Sequence, residues 1–472
     1  MPLGDDAKGL QRLGTGRINR LMLEFVAPSI LSISLSAIYN IIDALFLGRA
    51  MGDAGLAATQ AAFPLTMVIM TLVCLPGFGG VTVVSLHLGA NKHEQAEQVL
   101  GNTTTLSIVF GILCMIAGLV FLKPLLALGG ATPEIMPNAS IFMSIILAGT
   151  IPQALFLNLN NFIRAAGSPK RALLYNGSGM LICIVLNFFF VTLAGWGVAG
   201  SASATIIGQS ISAVLIVAYL VGKKSTLTLR LSALKLAAQA SKPTLILGIP
   251  QSLSQFVFSA ASFLLNYQFV LYGAHNELGA EGALASVGLI ARIALFSTFV
   301  LFGISIGAQP LLGFNFGARK YHRLRRMFWV AVLWTTVSSL IFLAILLLFA
   351  PQIVSAFGLS SGLASSTVRL LTIYLLPLPL SGFVIIAMCY YQAVGKALLS
   401  SLLSMFKQGL LLVPLLLFMP VLLPALLPGI DAVTAVILAV PVAEVVTFFI
   451  ALPLILSELR QQALRDSDQG SN

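Results

Sequence analysis

The sequence predicts an all-α polytopic membrane protein, in which twelve transmembrane helices form two six-helix lobes related by pseudo-two-fold symmetry. The first observation is composition: 58% of the 472 residues are hydrophobic and 9% are charged, whereas a soluble protein carries about 25% charged residues. The second is that the apolar residues fall into about twelve stretches, each with the roughly 20 residues that a spanning helix needs. The third is an internal repeat. A transmembrane barrel would show short alternating strands instead.

The predicted spans follow one another with short polar connections and one longer break. They cover 21–47, 57–86, 99–122, 137–160, 172–193, 198–221, 244–271, 282–312, 327–350, 365–393, 398–422 and 432–457. The break gives an N-lobe at 1–221, a basic linker at 222–243, a C-lobe at 244–457 and a tail at 458–472.

Lysine and arginine gather in every second loop, a bias that marks the cytoplasmic side of a membrane protein. We therefore expect a multi-pass protein of the cytoplasmic (inner) membrane with both termini in the cytoplasm. Because the net charge of +11 lies in these loops, it does not indicate a nucleic-acid partner.

The two halves of the chain repeat the same short motifs in the same order. Three motif pairs are each separated by 228 positions: Leu56-Ala57 and Leu284-Ala285, Leu88-Gly89-Ala90 and Phe316-Gly317-Ala318, and Arg164-Ala165-Ala166-Gly167 and Gln392-Ala393-Val394-Gly395. Each half has an even number of predicted spans, so both halves enter the membrane from the same side and form a parallel repeat. Such repeats place a substrate site near the membrane midplane. This favours an alternating-access transporter over a channel or an anchor.

Carboxylates inside apolar segments are the first candidates for function. Glu24, Asp43 and Glu444 fall inside such segments, and Glu24 lies close enough to the start of its span to reach water. A carboxylate at membrane depth is costly unless it is paired, hydrated or protonated. Tyr39 and Asn40 precede Asp43 by four and three residues, a spacing that places the three side chains on one helix face. We predict that they bind the proton or cation that drives transport; the alternative is a carboxylate that contacts lipid headgroups.

Neutral polar residues in spans four to six extend this prediction. Asn160 ends span four, and Thr205 lies in span six. Cys183 and Asn187 lie four residues apart and therefore on one face of span five. These residues either belong to the coupling site or form interhelical hydrogen bonds. Pro28 in span one removes a backbone hydrogen bond, which predicts a gating bend or a static kink about four turns before the carboxylate.

The second half has fewer ionisable groups within its spans. Arg292 in span eight and Lys407 in span eleven are unpaired in the sequence, and Lys407 lies close enough to a helix end to snorkel. Glu444 in span twelve either pairs with Arg292 or a backbone group, or contacts a cationic substrate. Gln255 and Asn266 in span seven complete, with Arg292 and Glu444, the candidate lining of a substrate cavity.

No pattern in the sequence indicates an enzyme. The GxGxxG sequence at 195–200 lies between two spans, without the strand and helix of a dinucleotide site, and no Walker A motif occurs. The four cysteines and four histidines have no metal-ligand spacing, and no nucleophile–base pair is visible. We therefore predict no catalytic residue, no metal site and no cofactor.

With the repeat and these motifs, the sequence resembles the multidrug and toxic compound extrusion (MATE) family, in particular its bacterial branch of DinF-like and MepA-like exporters. The stretches that carry the resemblance are Tyr39-Asn40-Ile41-Ile42-Asp43, Phe46-Leu47-Gly48, Leu88-Gly89-Ala90, Arg164-Ala165-Ala166-Gly167, Gly197-Val198-Ala199-Gly200, Gln309-Pro310-Leu311-Leu312-Gly313-Phe314-Asn315-Phe316-Gly317-Ala318 and Tyr391-Gln392-Ala393-Val394-Gly395. The resemblance implies two six-helix lobes in a V shape and the exchange of protons or sodium ions for organic cations and other drugs.

The resemblance also implies roles for single residues. It places Asp43 in a polar site of the N-lobe, close to Tyr39. It assigns Asn160 and Thr205 to the same site, and it makes Pro28 the bending proline of the family.

The sequence departs from the family pattern in span five. Archaeal and related members carry an asparagine and, four residues later, an aspartate, where this sequence has Cys183 and Asn187. One carboxylate among neutral groups is a poor cage for a hard cation, which needs several oxygen ligands. An isolated buried carboxylate takes up a proton readily. We therefore expect proton coupling, with sodium as the alternative ion.

Together these observations predict a secondary active antiporter that exports organic cations and other drugs in exchange for protons, with Asp43 as the shared site. The predicted partners are cationic or amphiphilic small molecules and the lipid bilayer, and we expect a monomer. Two alternatives stay open. A flippase for lipid-linked precursors would need a strongly basic cavity, whereas Arg292 is a single basic residue deep within a predicted span. A membrane scaffold without transport would need neither the repeat nor Asp43.

Overall fold

The computed structural model describes residues 12–51, 53–128, 131, 133–222, 225–273, 279–356, 361–427 and 429–470. These residues are almost entirely helical and contain no β-strand. Among them, eleven helices are long and apolar enough to cross a membrane, and a twelfth span results when one bent helix pair is counted as a single span. The predicted all-α fold with twelve spans agrees with this arrangement.

The first half of the chain forms helices that follow the predicted spans closely. They are α1 (Ile18–Met51), α2 (Asp53–Gly89), α3 (His93–Val120), α4 (Leu122–Leu128), α5 (Met136–Ala148), α6 (Thr150–Ala165), α7 (Pro169–Asn187) and α8 (Gly197–Val221). A π-helix at Phe188–Leu193 directly continues α7. Helices α5 and α6 meet at an angle of 55°, so the predicted fourth span is a broken helix.

The second half begins after a short 3₁₀ helix at Leu231–Leu234. Its helices are α9 (Ala238–Gly273), α10 (Gly279–Gly317), α11 (Tyr321–Ala356), α12 (Ser361–Leu375), α13 (Leu378–Ala393), α14 (Ala397–Met405), α15 (Val413–Leu426) and α16 (Ala432–Gly470). A second π-helix, Phe406–Leu412, joins α14 to α15 and completes predicted span eleven.

The last helix, α16, continues well past the predicted end of span twelve. Two side-chain contacts hold this extension within its unit. The amide of Gln462 donates a hydrogen bond to the hydroxyl of Tyr390 on α13. Glu458 pairs with Lys396 at 2.5 Å. The predicted tail, 458–472, therefore begins as ordered helix.

The described residues form two compact units that differ from the two sequence repeats. The first unit holds the described chain up to Ser252 together with Gln309–Lys320 and Ala393–Gly395, and the second holds the remainder. The start of α9 therefore packs within the first unit. A Cβ atom added to Gly79 of α2 would lie 1.8 Å from the carbonyl oxygen of Thr244, a backbone approach that small residues permit. The predicted lobe boundaries rest on the sequence repeat and stay a prediction.

The basic linker lies against α3 of the first unit. The buried amide of Asn102 donates hydrogen bonds to the carbonyl oxygens of Ala233 (3.1 Å) and Lys235 (3.2 Å). Arg230 pairs with the buried carboxylate of Glu97 at 3.0 Å. Because Arg230 is exposed, this pair contributes little stability, and the bonds of Asn102 are the firmer attachment of the linker.

An apolar core holds the C-terminal end of α1 in place. It includes Leu47 of α1, Ala62 of α2, Met143 of α5, and Val198 and Ala202 of α8. Leu47 lies one turn after Asp43 and is 1% exposed. This packing fixes the position of the carboxylate relative to α8.

Candidate functional site

Three helices bring polar side chains together around Asp43. Asp43 lies on α1, Asn187 is the last residue of α7, and Ser201 lies in the first turns of α8. The Oδ1 atom of Asp43 accepts a hydrogen bond of 2.8 Å from the Asn187 amide and one of 2.6 Å from the Ser201 hydroxyl. Asn187 and Ser201 are fully buried and Asp43 is half-buried. Hydrogen bonds in such a medium of low polarity are strong.

A pair of hydroxyl groups continues this network. Tyr39 and Thr205 share a hydrogen bond. The Thr205 hydroxyl also donates to the carbonyl oxygen of Ser201 at 3.0 Å, so its single proton is used and Tyr39 is the donor in the shared bond. The Cys183 thiol lies 3.7 Å from the Thr205 carbonyl oxygen and donates to it weakly. The network therefore ties α1 and α7 to α8.

Each of the three helices supplies two polar residues that are four positions apart. The pairs are Tyr39 and Asp43, Cys183 and Asn187, and Ser201 and Thr205. Residues with this spacing lie on one helix face, so three polar faces converge. Ser201 is the member that sequence reasoning missed, and its spacing to Thr205 is the signal that could have identified it.

Two predicted members, Asn40 and Asn160, are not hydrogen-bonded to this network within the described residues. Asn40 is exposed, and its amide donates to the carbonyl oxygen of Ser36 at 2.7 Å. Successive residues of an α-helix are rotated by about 100°, so Asn40 turns away from the face that carries Tyr39. Asn160 is buried on α6, and its Oδ1 atom has no hydrogen-bond partner among the described residues. Its role in the site stays a prediction.

Two other polar residues of α6 bind neighbouring helices. The Asn158 amide donates to the Val73 carbonyl oxygen at 2.9 Å and to the Ser107 hydroxyl at 2.8 Å. Arg164, which follows the predicted end of span four, is buried near the end of α6. Its guanidinium donates to the hydroxyl of Ser32 on α1 at 3.1 Å. Both residues join helices of the first unit.

Pro28 lies buried inside α1, and the helix continues on both sides of it. It precedes Asp43 by about four turns, at 3.6 residues per turn. A change of the helix bend at Pro28 would therefore move the end of α1 that carries the carboxylate. This gating role stays a prediction.

The buried carboxylate of the second half has a partner that sequence reasoning did not foresee. The ammonium of Lys407 pairs with Oε1 of Glu444, so the expectation that Lys407 snorkels to the interface is wrong. Gln255 is exposed on α9. The side chains of Asn266 and Arg292 lie outside the described residues, and a contact of Glu444 with Arg292 stays a prediction.

The negative charge of Asp43 has no cationic partner in the part of the chain that the structure describes. Its hydrogen-bond partners are an amide and a hydroxyl. In the same part of the chain, no group of three or more His, Cys, Asp or Glu residues is placed to hold a metal ion. A buried carboxylate with neutral donors alone can be neutralised by a proton, a monovalent cation or the charged group of an organic molecule.

The chain belongs to the MatE family, whose model matches residues 28–189 and 250–418. One matched stretch lies in each half, in agreement with the repeat seen in the sequence. Together with the long apolar helices, this match makes the chain a multi-pass membrane transporter of this family.

Two relatives are similar over most of their length. Multidrug export protein MepA of Staphylococcus haemolyticus is 24% identical over 440 residues, which cover 93% of this chain and 94% of the relative. Multidrug export protein MepA of Staphylococcus aureus is 23% identical over 404 residues, which cover 85% of this chain and 87% of the relative.

Solved structures show the same fold. A multidrug resistance MATE family transporter of the MOP superfamily, in an outward-facing conformation, matches with a TM-score of 0.88 at 23% identity and covers 97% of this chain and 99% of its own. A MOP superfamily transporter from Pyrococcus furiosus, described as having a binding pocket of reverse polarity, matches with a TM-score of 0.86 at 25% identity over 96% of this chain and 99% of its own. These matches confirm the predicted MATE-like fold.

Proposed function

We propose that the protein is a proton-coupled antiporter that exports organic cations and other amphiphilic drugs across the cytoplasmic membrane. The observation that carries this proposal is the environment of Asp43. Its carboxylate accepts hydrogen bonds from the neutral groups of Asn187 and Ser201 and has no cationic partner within the described residues. An intramembrane carboxylate of this kind marks an ion or substrate pathway. The relatives named multidrug export proteins support the substrate class.

Proton and drug compete for one negative charge in this proposal. When Asp43 is protonated, it no longer attracts a cation. When a cationic drug neutralises the carboxylate, the proton leaves. Each ligand therefore promotes the release of the other, because each shifts the protein toward a state that binds its competitor poorly. Uptake of a proton from the outside would release the drug there.

The neighbouring residues of Asp43 make this exchange reversible. Hydrogen bonds from Ser201 and Asn187 stabilise the ionised carboxylate and offset part of the cost of burying its charge. The bond between Tyr39 and Thr205 holds α1 against α8 next to the carboxylate. A bend of α1 at Pro28 would open or close access to the site.

The donor set favours a proton over sodium as the coupling ion. Asn187 turns its amide nitrogen to Asp43, so this side chain offers a donor where a metal cation needs oxygen ligands. Cys183 offers a thiol. Sodium is the alternative, because the Oδ1 atoms of Asn160 and Asn187 are buried without a partner among the described residues.

The substrate would bind through apolar and aromatic contacts and a few polar groups. Gln255, Asn266, Arg292 and Glu444 are the proposed polar lining. The proposed setting is the inner membrane with both termini in the cytoplasm, and the proposed functional form is a monomer. No cofactor enters the exchange.

Ethidium export from proteoliposomes tests the proposal. The full-length protein is reconstituted, and a pH gradient or a sodium gradient is imposed separately. We expect export under the pH gradient alone, and we expect Asp43→Asn to reduce it to the rate of protein-free liposomes. The matched control is Glu24→Gln on the same helix, because Glu24 is partly exposed and paired with Arg12 at 3.0 Å and Arg20 at 3.3 Å.

The control is expected to export at the wild-type rate. Export driven by sodium alone would assign the other coupling ion. Full proton-driven activity in Asp43→Asn would remove Asp43 from the coupling site and contradict the proposal.

A further inference from the structure

The Lys407–Glu444 pair is a second buried polar site, apart from the residues that are hydrogen-bonded to Asp43. The Lys407 side chain is 17% exposed and that of Glu444 is 9% exposed. Both residues belong to the second unit, and they join the π-helix after α14 to α16. The site is therefore internal to one unit.

The pair lies well inside the membrane-spanning segments Ala397–Leu426 and Ala432–Leu464. Lys407 follows the start of α14 at Ala397 by ten residues, and Glu444 follows the start of α16 at Ala432 by twelve. At about 1.5 Å per residue, these distances are roughly 15 Å and 18 Å, half of an apolar layer of about 30 Å. Neither side chain is close to an end of its span. Ionisable residues at this depth mark substrate or ion pathways.

Only one of the two carboxylate oxygens of Glu444 has a partner among the described residues. Lys407 contacts Oε1 of Glu444, whereas Oε2 is buried and has no hydrogen-bond partner among the described residues. Lys407 lies in a π-helical turn, a distortion that is rare and frequent at functional sites. A buried acceptor without a partner requires a donor from a water molecule or a ligand.

We propose that Glu444 binds the positively charged, hydrogen-bond-donating group of a transported organic cation. Lys407 competes with this group for the carboxylate and occupies the site when no substrate is bound. This rests on the proposed function in one respect, the cationic nature of the substrate. A donor such as an aromatic amine or an ammonium group would bind Oε2. The ammonium of Lys407 would oppose it, because one carboxylate cannot fully neutralise two cations.

Lys407 therefore lowers the affinity for the cation and promotes its release. A purely structural ion pair predicts something different. It would hold the π-helix to α16, and its loss would change stability without changing ligand affinity in the protein that remains folded.

The test measures ethidium binding to the purified full-length protein by fluorescence polarisation, without any gradient. All variants are made both in the wild type and in Asp43→Asn, so that the two carboxylates are separated. We expect Lys407→Met to bind ethidium about tenfold more tightly and Glu444→Gln to bind it about tenfold more weakly, a factor of ten in each direction being 1.4 kcal/mol. The ratio between variants is expected to be the same in both backgrounds.

Lys407→Arg is the variant that keeps the charge balance and the fold. The guanidinium can bind both oxygens of a carboxylate, so it would occupy Oε2 and weaken ethidium binding relative to Lys407. A structural pair predicts unchanged binding in this variant. The double variant Lys407→Met/Glu444→Gln is a neutral control for folding, measured by size-exclusion elution.

Unchanged or weaker ethidium binding in Lys407→Met, unchanged binding in Lys407→Arg, or absence of ethidium binding in every variant would each overturn the proposal. These outcomes are independent of the gradient experiment on Asp43, because they require no transport. A further outcome is that Asp43→Asn loses proton-coupled export while the Lys407 and Glu444 variants bind ethidium as the wild type does. That pair of results would leave the proposed antiport intact and contradict the proposed role of Glu444 alone.

Discussion

Asp43 in the first half and Glu444 in the second are both carboxylates inside spans, but they are neutralised in different ways. Asp43 accepts hydrogen bonds from an uncharged amide and an uncharged hydroxyl. Glu444 faces the ammonium of Lys407. When Asp43 is ionised, the first site therefore carries a negative charge without a counter-ion among the described residues, whereas the second contains its own counter-ion. Repeated halves of one chain thus use two different solutions to the cost of a buried charge.

The helices that carry these groups also pack differently. In the first half, a Cβ atom on Gly179 of α7 would lie 2.9 Å from the carbonyl oxygen of Gly208 on α8. Lys407 stands 228 positions after Gly179, the separation of the repeated motifs, and its side chain reaches Glu444 of α16. Close glycine contacts hold helices without charge, whereas a buried ion pair depends on both partners. The first arrangement is therefore sensitive to added side-chain volume, and the second to the loss of one charge.

The largest expected effect of this difference is on stability. Lys407→Met leaves the Glu444 carboxylate buried without its counter-ion, and removal of one partner of a buried pair costs about 3–5 kcal/mol. We expect a loss of stability at the lower end of this range, because the Lys407 side chain is partly exposed. Asp43→Asn removes an uncompensated charge and should leave the stability unchanged or raise it. Thermal unfolding, followed by a fluorophore that labels the buried cysteines Cys114 and Cys183 on unfolding, measures both.

The double variant Lys407→Met/Glu444→Gln should recover most of the stability that Lys407→Met loses. Equal unfolding temperatures for Lys407→Met and Asp43→Asn would contradict the distinction between a compensated and an uncompensated carboxylate.

A smaller effect is expected from Ser201→Ala, which removes one of the two donors to Asp43. A hydrogen bond to a charged group contributes about 1.5–3 kcal/mol, and 1.36 kcal/mol corresponds to one pH unit. Without the Ser201 hydroxyl the ionised carboxylate is less stable, so it binds its proton more tightly. The pH at which ethidium binding is half-maximal should therefore rise by about one unit.

Asn40→Ala is the matched control for Ser201→Ala. Asn40 is close to Asp43 in the sequence, but it is exposed and bonded to its own helix. Its substitution should leave the pH profile of ethidium binding unchanged. A larger shift in Asn40→Ala than in Ser201→Ala would mean that the hydrogen bonds around Asp43 have been assigned to the wrong residues.

The fold and the centre of the first site could be predicted from the sequence. Long apolar stretches determine the spans, and an intramembrane carboxylate with Tyr39 four residues earlier is visible without a structure. Ser201 was missed because serine is common in membrane helices, and its direction depends on how α8 is rotated against α1. The exposure of Asn40 and its bond to its own helix could not be predicted for the same reason, since a single helix face does not show where its neighbours pack.

The Lys407–Glu444 pair could not be predicted from sequence spacing. The two residues lie on different spans, and whether they meet depends on the relative rotation and depth of two helices. The π-helix at Phe406–Leu412 changes that rotation locally, because each residue of a wider turn advances by a smaller angle than in an α-helix. The break between α5 and α6 lies at Gly149-Thr150-Ile151-Pro152, where glycine and proline favour the end of a helix, and this signal in the sequence was missed.

Proton release on ethidium binding is the most direct test of the central claim that proton and drug compete for Asp43. The purified protein in a weakly buffered solution near the pH of half-maximal binding is mixed with ethidium, and the protons released are counted. Linkage between the two ligands predicts a release of up to about one proton per ethidium bound in the wild type and none in Asp43→Asn. Equal proton release from both proteins, or none from the wild type across the pH range of binding, would contradict the account.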